Sequence, residues 1–247
     1  MIEEDLALLD IETSISPLDQ PAEEELPRPD PEVMLSFLNS DAVFERIQAA
    51  RAFCEIEDER AIPKLIELLQ DDCLLVRVSA AYAIGRNKSE AAIPYLLDRL
   101  NQDWNGYVRK GVVWALGTCR DPRALAPLIS ALKYDISAVR LWAASALGQL
   151  GDIKAVEPLT EALQGDKMSA IRGNCAWSLG KLLIKMRLEQ EDDGETYQEA
   201  VDALIDALSD DDLGVGADAR GALRKLGDPR GLKVLDKIDI EQGYCEF

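Results

Sequence analysis

The chain has 247 residues, 47% of them apolar, and carries 27 basic against 46 acidic side chains, a net charge of −19. That length can bury a substantial core, in one domain or two. The acidity argues against non-specific nucleic-acid binding, which needs basic patches to displace phosphate counterions, and against docking on anionic lipid.

Histidine is absent, which removes the commonest general base and every His-containing metal site. Catalysis by carboxylates or tyrosine stays open, but no Gly-rich phosphate loop, GxSxG or paired-carboxylate motif marks an active site. The five cysteines, Cys54, Cys73, Cys119, Cys175 and Cys245, are odd in number and form no CxxC, so a disulfide framework is not expected. No apolar run approaches the roughly 18 residues of a membrane span. The opening MIEEDLALLDIETS is acidic where a secretory signal is basic, so a soluble, cytoplasmic protein is expected.

In chain order, residues 1–30 hold ten acidic residues and one base, Arg28, with Pro17, Pro21, Pro27 and Pro29. A segment with so little to bury predicts a disordered acidic tail over 1–29. Within it LALLDI could fold on a partner as a short amphipathic helix, or simply solubilise the chain.

From residue 30 the sequence repeats. ERIQAARAFCEI, VRVSAAYAIGRN, VRKGVVWALGTC, VRLWAASALGQL and IRGNCAWSLGKL align on Arg46, Arg77, Arg109, Arg140 and Arg172, spaced 31, 32, 31 and 32 residues apart. A degenerate sixth copy, VGADARGALRKL, puts Gly216 in the arginine slot, 44 residues after Arg172. About 12 extra residues therefore intervene, and MRLEQEDDGETYQ (186–198) is the expected insert. A second segment alternates with the first: AIPKLIELL (61–69), AIPYLLDRL (92–100), ALAPLISAL (124–132), AVEPLTEAL (155–163) and AVDALIDAL (200–208). Proline suits a first helical turn, where the N–H it lacks would be unpaired. Asp58, Asp121, Asp152 and Asp228 each stand 12 residues after the arginine slot, placed to cap the next helix. Apolar spacings of three and four run through both segments and strand alternation is nowhere sustained. The prediction is an all-α fold: an α-solenoid of about six helical hairpins over 30–238, with a terminal helix near GLKVLDKI and a short C-terminal tail, 239–247.

The pattern VRxxAAxALGxLGDxxAxxPLxxAL resembles the short HEAT-like repeat named after phycobilisome bilin lyases of the E/F type. It is also similar to the consensus of artificial HEAT-like binding libraries. The resemblance implies a protein-binding scaffold without catalysis. It extends to a cyanobacterial HEAT-repeat protein that associates with an A-type iron–sulfur assembly protein. An alternative is a bilin lyase subunit or lyase-like chaperone, which would present a phycobilin to a phycobiliprotein. A phycobilin or an iron–sulfur cluster enters only under these resemblances; the residues call for no cofactor. A protein partner, without nucleic acid or membrane insertion, is common to both readings.

Counting from each arginine at about 100° per residue, slots +3, +4 and +7 form one inward stripe of Ala and Leu. Slots +2 and +5 point away from it. At +5 stand Arg51, Tyr82, Trp114, Ser145 and Trp177; at +2 stand Gln48, Ser79, Gly111, Trp142 and Asn174. The inward slots barely change between copies, whereas −2, +1, +2 and +5 change every time, as a recognition surface does. In the artificial libraries these varied slots line the concave face. On that likeness Leu74, Leu75, Val78, Tyr82, Tyr107, Trp114, Leu141, Trp142 and Trp177 are expected to form one apolar groove. The competing expectation is that each aromatic packs over small residues of the next repeat, where Gly111 and Gly173 leave room. Trp104, in the loop DWNGY, is expected to pack locally.

The arginine column is expected to pair with loop aspartates (Asp72, Asp103, Asp135, Asp166) rather than to bind an anion. Cys54 and Cys175 occupy small-residue slots, Cys73 and Cys119 fall near helix ends, and Cys245 in GYCEF is expected to be exposed. The acidic EQEDDGE is expected to be a solvated loop.

Overall fold

The computed structural model describes residues 29–189 and 194–241. Among these there are thirteen α-helices, five short 3-10 turns and no strand. The helices are α1 (Pro31–Phe37), α2 (Val43–Ala52), α3 (Ile62–Leu68), α4 (Leu74–Asn87), α5 (Ile93–Gln102), α6 (Gly106–Cys119), α7 (Leu125–Tyr134), α8 (Ser137–Leu150), α9 (Val156–Gly165), α10 (Ser169–Glu189), α11 (Glu195–Asp206), α12 (Leu213–Leu226) and α13 (Pro229–Glu241). They pair as six hairpins, α1–α2 through α11–α12, with α13 packed against α11 and α12. The acidic segment and Cys245 lie outside the described residues.

Three of the hairpins begin at the aspartates placed for them. Asp58, Asp121 and Asp152 accept the backbone N–H two residues on, at 2.9 Å in each case, and start a 3-10 turn that leads into α3, α7 and α9. Asp228 does the same for α13. The second helices stop at a left-handed residue: Lys88 after α4, Arg120 after α6, Gly151 after α8 and Gly227 after α12. Such a residue exposes the last carbonyls to capping and cannot continue the helix. In α10 the equivalent slot holds Leu183, and the helix runs on to Glu189. The insert therefore begins as added turns of helix through Glu189, while 190–193 lie outside the described residues. Met186 is buried, Lys185 donates to the carbonyl of Gly151 at 2.7 Å, and Arg187 to that of Leu226 at 2.6 Å. At the start of α11, buried Tyr197 donates to Asp228 at 3.2 Å.

The inward stripe is as expected: Ala49, Ala50 and Phe53, Ala80, Ala81 and Ile84, and their counterparts through Cys175, Ala176 and Leu179 are fully buried. Successive second helices pack directly on one another, while first helices touch only sparsely. Glycine sets that close spacing. A Cβ on Gly117 would sit 2.8 Å from Ala146, on Gly148 2.5 Å from Ser178 Oγ, and on Gly180 2.8 Å from Ala222. A stack whose layers are unequally spaced bends toward the closer one, which puts the second helices on the inside.

The arginine column is a ladder. Arg109 forks onto Asp135 (Nε–Oδ2 2.7 Å, Nη2–Oδ1 2.6 Å) while its Nη1 donates to the carbonyl of Asp103 at 2.8 Å. Arg77 takes Asp103, Arg140 takes Asp166 and Arg172 takes Asp210 in the same way. Each arginine thus grips the loop of its own repeat and the aspartate of the next, a bidentate pairing that fixes geometry as well as charge. The partner of Arg46 is Asp71, at 2.7 Å, not the expected Asp72. The acceptor is the aspartate five or six residues before the arginine slot, where its Oδ1 also accepts a loop N–H, from Cys73 at 2.8 Å in this repeat.

Candidate functional site

The second helices leave slots −2, +1, +5 and +9 as their accessible stripe. Of the nine residues expected to form a groove, all lie on α4, α6, α8 and α10. Leu75, Tyr107 and Trp177 are exposed, the last at 41%, and Leu74, Val78, Tyr82, Trp114, Leu141 and Trp142 are half-buried. Neither extreme expectation describes Trp114. Its ring lies tilted against Tyr82 with centroids 5.3 Å apart, and one edge rests over Gly85, whose Cβ would meet Trp114 Cζ3 at 2.6 Å. Tyr82 in turn lies against Gly111. Trp114 thus packs on the preceding repeat and Tyr82 on the next, as the packing expectation had it at Gly111, and both stay half-buried rather than covered.

Three expectations are corrected. Slot +2 does not uniformly face away: Ser79 and Gly111 are buried where neighbouring second helices meet, because the close glycine spacing turns that flank into an interface. Trp142 in this slot is half-buried, with Lys110 Nζ 5.4 Å from its ring centroid. The room at Gly173 is taken by Asp218 rather than by an aromatic ring. Trp104 does not pack locally; it is 79% exposed. It belongs to a series of exposed apolar residues beside the loops that lead into the second helices, with Phe44, Tyr134, Ile136, Met168 and Leu213. Sequence reasoning missed this edge because its residues recur at different offsets from the arginine.

The four described cysteines pack against or within the core. Burial pushes Cys54 and Cys119 up to about 11, and raises fully buried Cys175 as well. At pH 8 these three are expected to react with iodoacetamide at least about 100-fold more slowly than glutathione, since the thiolate is the nucleophile. Glutathione-like labelling of Cys54 would show that the contact between α2 and α4 opens. Among the described residues no three acidic or thiol side chains form a metal-ligand group, and no helix is long and apolar enough to cross a membrane.

The geometry is that of an α-solenoid that presents its second helices as a continuous surface. The chain belongs to the HEAT-repeat family, whose model matches residues 31–116 and 96–180. Among solved structures it is similar in fold to the complex of CpcE and CpcF of phycocyanin lyase from Nostoc sp. PCC7120. That match has 22% identity and a TM-score of 0.61, and covers 87% of this chain and 84% of that one. An engineered protein is similar at 26% identity over 80% of this chain and 98% of its own, TM-score 0.58. A designed armadillo repeat protein in complex with the peptide (KR)4 matches at 22% identity over 79% and 98%, TM-score 0.58. No curated protein sequence matches significantly.

Proposed function

We propose that this chain is a non-catalytic, cytoplasmic scaffold that holds one face of a partner protein in the groove of its second helices. The observation that carries the reading is the contrast between slots. Inward positions are uniform and buried, whereas the accessible stripe carries Leu75, Tyr107, Trp114, Leu141 and Trp177, residues that bury large area at small entropic cost. The designed armadillo protein matched above holds a peptide, so a solenoid of this fold and size can do so. Antenna maturation and iron–sulfur assembly are the two settings the resemblances suggest.

The test is a pull-down from native extract with wild type beside the Trp114→Ala/Trp142→Ala/Trp177→Ala variant. The expected result is a partner recovered by wild type and reduced at least about tenfold by the variant, the loss typical of removing central aromatic anchors. Equal recovery would make the tryptophans packing residues and sink the groove.

The fold likeness to the CpcE–CpcF complex over 87% of the chain supports a second reading, a bilin lyase subunit or lyase-like chaperone. Under it, co-expression with a phycobilin gives a coloured protein, whereas a scaffold purifies colourless.

A further inference from the structure

Charge is not spread evenly over this acidic chain. The six second helices, α2 through α12, carry 14 basic residues and only three acidic ones, Glu45, Glu189 and Asp218. The first helices, α1 through α11, carry three basic and nine acidic residues. Five of the 14 arginines and lysines are consumed by the ladder; nine remain. The acidity that dominates the whole molecule is thus reversed on the layer that forms the groove.

That reversal is sharpest where α10 meets α12. A cleft of about 120 Å³ opens there between Trp177 and Ile184, with Lys181 and Lys225 at its rim. Its floor is Gly221, above which a Cβ would meet nothing within 4 Å. Neither lysine has an ion-pair partner among the described residues. The Lys181 ammonium lies 4.6 Å from the Trp177 ring centroid, and burial, with Arg120 nearby, lowers its pKa. Asp218 is the only carboxylate lining the cleft; burial raises its pKa. The site is therefore an apolar slot rimmed by two cations without ion-pair partners, against the single carboxylate of Asp218.

We propose that this cleft anchors an acidic amphipathic segment of the partner protein, an apolar side chain entering over Gly221 and a flanking carboxylate bridging Lys181 and Lys225. This rests on the groove reading and names the chemistry of its occupant. A basic segment, such as the peptide held by the designed armadillo protein, would meet like charge here.

The probe is a fluorescein-labelled helical peptide of alternating Glu/Asp and Leu/Phe turns, followed by anisotropy, beside its Lys-for-Glu/Asp counterpart. Binding by wild type below about 1 mM is expected for the acidic peptide and none for the basic one. Lys181→Glu/Lys225→Glu should weaken it at least about tenfold, as should Gly221→Leu, which fills the slot from a position with open space. Preference for the basic peptide, no binding at all, or unchanged affinity in both variants would overturn the proposal. The groove reading is judged separately, by recovery of the partner with Trp114→Ala/Trp142→Ala, which leaves the cleft intact. Loss of partner there with an inert cleft would keep the groove and discard the anchor.

Discussion

Replacing Arg77 with alanine is expected to destabilise the protein by about 3 kcal/mol, and to lower its urea midpoint with it. Arg77 and Asp103 form the most buried rung of the ladder, with side chains 9% and 2% exposed. The substitution leaves the Asp103 carboxylate buried with only the N–H of Asn105, and removes the donor from the carbonyls of Asp71 and Asp72. A buried charge without its partner typically costs about 3–5 kcal/mol. Arg60→Ala is the control: that guanidinium is 59% exposed beside Asp58 and should leave the midpoint where it is. A midpoint unmoved by Arg77→Ala would mean that the ladder decorates the stack rather than holding it. The same ladder sets the acid limit. Arg172 holds Asp210 below the usual carboxylate range; at Asp166 burial pushes upward most strongly, but Arg140, the Met168 N–H and nearby Arg172 together outweigh it. Carboxylates depressed in the folded state contribute stability above their unfolded value and lose it as pH falls through the folded one. Urea midpoints should accordingly decline below about pH 4.

Gly148→Ala is expected to cost about 2 kcal/mol, against the rule that alanine is the better helix former by about 1 kcal/mol. The new Cβ would stand 2.7 Å from Ser178 Cβ and 3.0 Å from its Cα, so α8 and α10 must separate. Overpacking of this kind costs about 1–3 kcal/mol. The fully buried Ser178 hydroxyl, which donates to the Ala144 carbonyl at 2.8 Å, is disturbed with it. Gly221→Ala, also within a second helix, meets nothing and should stabilise by up to about 1 kcal/mol. Thermal melts of the two variants should move in opposite directions. Stabilisation by both would show that the glycine column does not set the spacing.

The hairpins, their boundaries and the inward stripe were legible in the sequence because each is a local, repeated pattern. Asp caps, prolines in first turns and small residues at fixed offsets all recur with the period. What was not legible depends on contacts between repeats. That Asp71 rather than Asp72 receives Arg46 is decided by loop geometry one repeat away. Leu183 in the left-handed slot lets α10 run on to Glu189, a consequence visible only once the Lys88, Arg120, Gly151 and Gly227 stops are placed beside it; most of the acidic EQEDDGE lies outside the described residues. The groove was legible as a set of varied slots, yet helical angles alone put slot +2 on the open face. The glycine-close stacking of α4, α6 and α8 buries much of it. Charge inversion between the two helix layers was hidden by the net figure of −19, which sums both.

Gly216 sits in the slot where five other repeats carry arginine, and its backbone faces the carbonyl of Leu208, 3.3 Å from where its Cβ would be. An arginine at 216 would need a bidentate acceptor from a further repeat. Glycine at 216 needs none, and α13 is instead tied across α12 through Arg220 and Arg224 to Asp239. The ladder therefore ends at its fifth rung, and the sixth repeat is held to its neighbour by a different pair of arginines.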